Sequence, residues 1–542
     1  MKVFCLEFYH LIGVSVMEEL QRRHGIQPIL WTSSHLLEKP VAEKFPDCVF
    51  LHGGDAKMGI WPGPLRWCEH GPFDEACQHV WNQWHHQIAD LFRRWDFADD
   101  YPMHEMSEDF YEQLVAWNHF LTTTKPDFIF LWEPPHVQYS LMLYSLARYY
   151  QIPVLWVISN MGAFSTISDD LSGGTRWLNG LRLATWEQQH GFQTGTEDLH
   201  EEITAVFARA TNQSYAEGMP WWQRNYLQLK SGSINFLFIH KMWRMLSGHL
   251  KRDLKRLRKG LDKEAGSPVQ GIYPHKERHH RVKDSFVGRF VWLRYGWSQV
   301  RNYLATMKHE RAYNALVFKD VPRGTKYVLV CLAFQPELTS NPFGGIFLHQ
   351  WLMANIVAHS VPEGYEVWIK EHPAQFVSLG GTSSYRNTHY YQLLARLPRV
   401  RLVPLNADQF DLIDNSLAIA TLTGTVGFES MARGKPVLIF GSVWYSRCQM
   451  AYKIRSLKDC RAAMQQILSR QPGEGVPLLL LLKELELGAF RFGAEASLVG
   501  GATASTDENI NDMSDHVGRY LNLTVPSDPK TACLRELLND ES

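Results

Sequence analysis

The amino-acid sequence lacks the marks of several classes of protein. No apolar stretch among its 542 residues reaches the ~18 residues that a membrane-spanning helix needs. The N-terminus, MKVFCLEFYH, has no long apolar segment and no small-residue cleavage site, so we expect no secretory signal. The eight cysteines form no Cys-x-x-Cys pair, which argues against a zinc ribbon and a disulfide scaffold. We therefore predict a cytoplasmic protein with reduced thiols.

Net charge is almost absent as well. Lys and Arg total 55, and Asp and Glu total 56, a formal net charge of −1. This balance argues against a uniformly basic nucleic-acid binder, and we predict no nucleic-acid partner. Residues 241–283 are the exception, with thirteen basic side chains against four acidic ones. This segment predicts peripheral contact with an anionic membrane surface at the inner face of the cytoplasmic membrane. The alternative is a solvated helical face followed by a linker.

Short apolar runs alternate with helical patterns in the first part of the chain and again from Lys326 onwards. Strands that alternate with helices predict parallel sheets covered on both faces, so the fold class is α/β with two doubly wound, Rossmann-like domains facing a central cleft. We predict four segments: an N-terminal acceptor-side domain, a basic helical linker, a second Rossmann-like domain, and a terminal helix with an acidic tail, spanning 1–240, 241–325, 326–485 and 486–542.

The second domain contains a strand–turn–helix sequence suited to binding an anion. Thr423, Gly424 and Thr425 stand between a predicted strand and a predicted helix. The free N–H groups and the dipole at a helix start favour a phosphate, and glycine allows close approach. Glu429 lies one turn further and can accept hydrogen bonds from ribose hydroxyls. The alternative is that Thr425 is only an N-cap and Gly424 only a turn residue.

Polar loops follow other strands of the same predicted sheet. Open α/β sheets bind their ligands at the carboxyl ends of the strands. The candidate binding residues in these loops all stand at such strand ends, and they are Gln335, Glu337, Lys370, His372 and Tyr445. Lys370 supplies a point charge and His372 a hydrogen-bond donor. Several such loops along one edge predict a binding site more strongly than any single loop does.

These motifs resemble a known family. Lys-Glu-His-Pro at 370–373, Thr-Gly-Thr-Val-Gly-Phe-Glu at 423–429, Gly-Lys-Pro-Val at 434–437 and Gln-Pro-Glu at 335–337 look like those of the capsule polysaccharide biosynthesis protein family. That family is similar to GT-B glycosyltransferases and includes transferases that use CMP-Kdo. The resemblance implies a nucleotide-sugar donor, with His372 and the turn at 423–425 on the phosphate and Glu429 on the ribose.

The sequence contains no Asp-x-Asp motif, which in many transferases holds a divalent metal. We therefore predict a reaction without a metal or other cofactor, in which the helix start, Lys370 and His372 stabilise the leaving phosphate. The acceptor hydroxyl needs a base or nucleophile from the first half of the chain. Glu133 is the first candidate and Asp170 the second. Glu7 and His10, at the end of the first strand, are further candidates.

The resulting prediction is an enzyme, a glycosyltransferase. It would move a sugar, Kdo or a related ulosonic acid, from a nucleotide sugar to an oligosaccharide or glycolipid acceptor of a surface or capsular polysaccharide. One alternative is a CDP-alcohol phosphotransferase of polymer synthesis, for which a second His-Pro pair would be expected at the phosphate. Another is a polysaccharide-assembly protein without activity, against which the intact set of candidate ligands argues.

Overall fold

The fold is given by a computed structural model that describes residues 1–61, 63–94, 102–161, 164–171, 194–211, 291–319, 324–376, 382–471, 473, 475–491 and 506–524. The predicted basic segment 241–283 lies outside the described residues, as do the last eighteen residues of the predicted tail. Within the described part of the chain, no helix is both long enough and apolar enough to cross a bilayer.

Within the described residues, thirteen strands form two sheets. The strands are β1 Lys2–Leu6, β2 Gln27–Ser33, β3 Val49–His52, β4 Phe128–Leu131, β5 Val154–Met161, β6 Phe164–Ser168, β7 Tyr327–Cys331, β8 Glu366–Lys370, β9 Val400–Leu402, β10 Ile419–Thr421, β11 Val437–Ile439, β12 Ala451–Lys453 and β13 Phe490–Arg491. The α-helices between and after them are α1 Leu11–His24, α2 Glu38–Lys44, α3 Gly53–Met58, α4 Glu75–Arg94, α5 Met103–Thr124, α6 Gln138–Tyr149, α7 Glu201–Ala210, α8 Val291–Asn314, α9 Trp351–Ala358, α10 Thr388–Ala395, α11 Gln409–Asp414, α12 Thr425–Ala432, α13 Leu457–Leu468, α14 Leu478–Gly488 and α15 Thr506–Thr524.

The first sheet has the order β3-β2-β1-β4-β5-β6-β13. The first five strands in this order are parallel, whereas β6 runs antiparallel to β5 and β13 antiparallel to β6. β4 is buried along its whole length, as expected of a strand that carries helices on both faces. From β1 the chain adds β2 and β3 on one side and then returns to add β4 and β5 on the other, which places the topological switch point of this sheet between β1 and β4.

The second sheet has the order β9-β8-β7-β10-β11-β12, and all of its neighbours pair in parallel. This is the order of a doubly wound nucleotide-binding sheet, with the switch point between β7 and β10. Every residue of β7 and β10 is buried, because helices cover both faces. The predicted fold class, two doubly wound Rossmann-like units, is confirmed.

The chain divides into two compact units that are not consecutive in sequence. The described residues of 1–84, 112–206 and 479–542 form the first unit, and those of 85–111 and 207–478 form the second. The C-terminal helix α15 thus belongs to the first unit, where Asp515 and Asn511 accept hydrogen bonds from Arg23 of α1. This contact could not be predicted from the sequence, because the packing of two helices far apart in the chain leaves no local pattern.

Candidate functional site

The turn between β10 and α12 is held from several sides. Gly424 N–H donates to Thr421 Oγ1 at 3.4 Å, and the Tyr445 hydroxyl donates to the carbonyl oxygen of Gly424. Thr423 is buried, and its hydroxyl donates to the carbonyl of Thr339 at 2.7 Å, which joins the loop after β10 to the loop after β7. Thr425 is exposed as the first residue of α12. The start of α12 is therefore fixed at the switch point of the second sheet.

Gly427 lets the ring of Tyr445 pack against the first turn of α12. A Cβ atom at Gly427 would lie 2.4 Å from the Tyr445 hydroxyl oxygen and 2.7 Å from the ring carbon that bears it. Tyr445 is buried, so its ring has little room to move. The second glycine of the Thr-Gly-Thr-Val-Gly sequence is thus required by packing against a neighbouring loop.

We expect Gly427→Ala to lower the free energy of unfolding by about 1–3 kcal/mol, because overpacking forces the buried ring to shift. Denaturant unfolding measures the change. Gly63→Ala is the matched control, since a Cβ at Gly63 would meet no atom of the described part of the chain within 4 Å. Equal stability of the two variants would show that Tyr445 does not restrict this position.

Lys370 is a buried cation at the end of β8. Its ammonium group donates to the carbonyl oxygen of Ala407 at 2.7 Å. Burial lowers the pKa of Lys370 to about 8, although the nearby groups of Cys331, Asp408 and Glu429 favour its charged form. Burial also raises the pKa of Glu429 to about 7, opposed by Arg433 and Lys370. Two predicted ligands, Lys370 and Glu429, therefore lie close enough to shift each other's pKa.

His372 is a neutral hydrogen-bond donor at neutral pH. Its Nδ1 lies 3.2 Å from the backbone nitrogen of Ala374, which donates to it. A neutral imidazole that accepts at Nδ1 carries its proton on Nε2. Burial, followed by the charges of Lys370 and Arg386, lowers the pKa of His372 to about 4. The Nε2–H group can therefore donate to a phosphate oxygen without a change of ring charge.

A buried ion pair, which was not predicted from the sequence, supports this loop. The Nε atom of Arg386 lies 2.7 Å from Oε2 of Glu371, and both side chains are almost completely buried. Oε1 of Glu371 accepts from the backbone N–H of His372 at 2.8 Å, and its Oε2 accepts from the Tyr391 hydroxyl at 3.0 Å. Glu371 stands inside the Lys-Glu-His-Pro motif, which is a local signal, whereas nothing near Arg386 in the sequence indicates its partner.

The side chain of Gln335 belongs to the same buried network. Its Oε1 accepts from Arg386 and from Gln350, and its Nε2 donates to the carbonyl oxygen of Leu348 at 2.9 Å. Glu337, in the same loop, is only partly buried and accepts from the Thr339 hydroxyl at 2.8 Å. In the structure, Gln335 therefore orients the loops after β7 and β8, and its role as a donor ligand stays a prediction.

Acidic residues also meet at the switch point of the first sheet. Glu7 follows β1 and Glu133 follows β4, and His136 lies between their carboxylates. Nδ1 of His136 is 3.6 Å from Oε2 of Glu7, and Nε2 is 3.6 Å from Oε2 of Glu133. The Glu7 side chain is fully buried, whereas 40% of the Glu133 side chain is exposed. Glu133 thus presents a carboxylate to solvent with a histidine and a second carboxylate behind it.

Burial dominates the electrostatics of this group. It raises the pKa of Glu7 to about 7 and also raises the pKa of Glu133. Lys57 of α3 acts in the opposite direction on both carboxyls. Glu7 and Glu133 were predicted from their positions after strands, whereas His136 and Lys57 were not predicted. The signal for His136 was its place in the loop after β4, three residues beyond Glu133.

Asp170 lies elsewhere than expected. The sequence pattern placed it in a loop directly after β5, but the antiparallel strand β6 intervenes. Ser168 pairs with Trp156 in antiparallel register, so Asp170, two residues further on, is level with Val154 at the start of β5. Leu131 pairs with Trp156 in parallel register, so Glu133 is level with Ile158. Four residues of strand separate these levels by about 13 Å along the sheet. The structure therefore does not bring Asp170 to the edge that carries Glu133.

Among the described residues, no group of three or more His, Cys, Asp or Glu side chains has the geometry of a metal site. The predicted independence from metal stays a prediction, because it concerns the reaction.

Two doubly wound units with polar loops at the carboxyl ends of their strands define a GT-B-like protein. The sequence profile of the capsule polysaccharide biosynthesis protein family matches residues 276–464. This match confirms the resemblance that the motifs in this part of the chain indicated. The search of curated proteins found no match.

Several solved structures resemble the chain at low sequence identity. The β-Kdo 2,7-transferase KpsC of Thermosulfurimonas dismutans is 10% identical, with a TM-score of 0.30 over 95% of this chain and 99% of that one. The β-Kdo 2,4-transferase KpsC of the same organism is 13% identical, with a TM-score of 0.24 over 66% and 87%. The UDP-GlcNAc 2-epimerase of Neisseria meningitidis, bound to UDP-GlcNAc, is 11% identical, with a TM-score of 0.19 over 96% and 99%. TM-scores this low give no information on activity or substrate.

Proposed function

We propose that the protein is a glycosyltransferase of capsule or surface polysaccharide synthesis that moves a sugar from a nucleotide-sugar donor to a saccharide or glycolipid acceptor. The observation that carries the proposal is the grouping of Lys370, Glu429 and the start of α12 at one sheet edge, with His372 in the loop that follows Lys370. This edge offers what a sugar nucleotide requires, namely donors for phosphate and acceptors for ribose.

The second unit would bind the donor. The free N–H groups at the start of α12, the Lys370 ammonium and the His372 Nε2–H group would hold the phosphate next to the sugar. As the bond between the sugar and the phosphate breaks, negative charge grows on the phosphate, and donors already in place stabilise it. Glu429 would accept from the ribose hydroxyls, and Tyr445 would keep the helix start in position. No metal is required in this proposal.

The first unit would activate the acceptor. Glu133 would take the proton of the acceptor hydroxyl while the hydroxyl oxygen bonds to the anomeric carbon of the sugar. As this bond forms, the bond from the anomeric carbon to the phosphate breaks, and the nucleotide leaves with its electron pair. Kdo from CMP-Kdo is the donor that the family resemblance favours, and residues 241–283 would bring the enzyme to a membrane-bound acceptor.

We expect CMP to raise the melting temperature of the wild-type protein. His372→Ala should weaken CMP binding by ten- to a hundredfold, because a hydrogen bond to a charged group contributes about 1.5–3 kcal/mol. Thermal shift across a CMP titration measures both. His359→Ala is the control, because His359 is exposed and bonds the carbonyl oxygen of Asn355. Unchanged CMP affinity in His372→Ala would contradict the assignment of the phosphate site.

A hydrolysis panel tests the class of donor. We expect release of CMP from CMP-Kdo, or of nucleotide from another nucleotide sugar, and equal rates with and without EDTA. Turnover of CDP-glycerol alone would overturn the proposal in favour of a phosphotransferase. No turnover of any donor, together with no protection by CMP or UDP, would favour a non-catalytic assembly protein.

A further inference from the structure

Glu7 is a buried carboxylate to which the proposed transfer reaction assigns no role so far. Its side chain has no exposure to solvent, and among the described residues neither carboxylate oxygen has a hydrogen-bond partner of good geometry. Its backbone is held at a φ of 61°, in the left-handed region that residues other than glycine seldom adopt. A buried acid in a strained backbone position, at the switch point of a doubly wound sheet, is a feature typical of functional sites.

The protonation of His136 follows from its contacts. Nδ1 lies 2.8 Å from the carbonyl oxygen of Pro134, which can only accept, so Nδ1 carries a proton. The proton that His136 can gain or lose is therefore the one on Nε2, the atom that faces Glu133. When both nitrogens are protonated, the imidazolium lies between the carboxylates of Glu7 and Glu133, each 3.6 Å away.

The groups around Glu7 define its electrostatic environment. They come from the loops after β1 and β4 and from helices α3 and α6, and they are Tyr9, Glu133, His136, Lys57, Tyr139 and Ser140. Lys57 is the one permanent cation among these groups, and the hydroxyls of Ser140 and Tyr139 favour the ionised form of Glu7. An imidazolium at His136 would add a second positive charge beside the buried carboxylate.

We propose that Glu7, His136 and Glu133 form one acid–base unit, in which Glu133 and Nε2 of His136 receive the proton of the acceptor hydroxyl and Glu7 is a positioning residue that stabilises the imidazolium. The proposal rests on the proposed transfer reaction. The proton passes from the hydroxyl to Glu133 and on to Nε2, which leaves Glu133 ionised and His136 positive. It then leaves to solvent through the exposed carboxyl of Glu133.

The pH profile of donor-dependent turnover tests this role. Glu7→Gln removes a negative charge beside His136 and so makes the imidazolium less stable. We therefore expect the acidic limb of the kcat/KM profile to shift to lower pH by half a unit or more. We also expect a lower kcat with little change in KM. Glu7→Asp should restore most of the wild-type profile. Glu43→Gln, an exposed carboxyl outside the group, is the control. An unchanged acidic limb in Glu7→Gln would overturn the positioning role.

A double-mutant cycle tests the unit without any need for turnover. We expect the unfolding equilibrium constants of Glu7→Gln, His136→Gln and the double variant to show a coupling of about threefold or more at neutral pH, because the two side chains interact directly. Additive effects would overturn the unit whatever the hydrolysis panel shows. Coupling without turnover of any donor would instead mean that the proposed function is wrong, although Glu7 and His136 do interact.

Discussion

Arg386→Met should lower the free energy of unfolding by about 3–5 kcal/mol, since it leaves a buried carboxylate without its cation. Glu371 is almost completely buried and receives hydrogen bonds from Arg386, from Tyr391 and from the backbone of His372. Arg386 also donates to Gln335 and to the carbonyl oxygen of Ala333. Its loss therefore disorganises the loops after β7 and β8 together, and we expect CMP protection to disappear with it.

Denaturant unfolding and CMP thermal shift, measured on the same preparations, check this prediction. The double variant Arg386→Met/Glu371→Gln should regain part of the stability, because it removes the uncompensated charge. Arg401→Met is the control. Its partner Glu366 is 3.7 Å away and about half of the Arg401 side chain is exposed, so its loss should cost at most about 1 kcal/mol. Similar losses in Arg386→Met and the control would mean that the buried pair is not needed for folding.

The sequence predicted the strands of both sheets well where a strand is buried on both faces. The runs Phe128–Trp132 and Tyr327–Leu332 were each placed within one residue of their observed ends. β6 was missed, because FSTIS mixes polar and apolar residues and gives no continuous apolar run. Because β6 was missed, Asp170 was predicted at the wrong end of the sheet. The antiparallel strand β6 carries the chain back towards the start of β5.

The candidate site in the second unit was predictable where its chemistry is local. A strand followed by a glycine turn and a helix is visible in residues 419–432, and Lys370 directly ends a strand. Contacts between residues far apart in the sequence could not be predicted. The bond from Thr423 to Thr339 joins residues 84 positions apart, and the pair of Glu371 and Arg386 depends on how two loops pack.

In the first unit, too, contacts between residues far apart in the sequence could not be predicted. Glu7 and Glu133 could be named because each follows a strand, but 126 positions separate them along the chain. Only the parallel pairing of β1 with β4, in which Leu6 lies opposite Leu131, brings the two carboxyls to one edge. His136 follows two prolines, a pattern that indicates a turn and carries no sign of an imidazole between two acids.

Glu133→Gln should lower turnover of the donor by a factor of 10² to 10⁴, the range over which a positioned acid–base group contributes. The amide keeps the size and hydrogen-bonding reach of the carboxylate but cannot take a proton. Glu133 lies in the first unit and the donor ligands in the second, so CMP protection should match that of the wild type. A loss of kcat with unchanged nucleotide affinity separates this role from that of His372.

Steady-state hydrolysis and acceptor-dependent transfer, followed from pH 5 to 9, measure the effect. Burial raises the pKa of Glu133, so wild-type activity should fall as pH drops and the carboxylate becomes protonated. In Glu133→Gln this acidic limb should weaken, because one of the titrating groups of the proposed unit is gone while His136 remains. Asp170→Asn provides the opposing test, since the strand pairing places Asp170 away from this edge. A large loss in Asp170→Asn with full activity in Glu133→Gln would assign the proton transfer to the other end of the sheet.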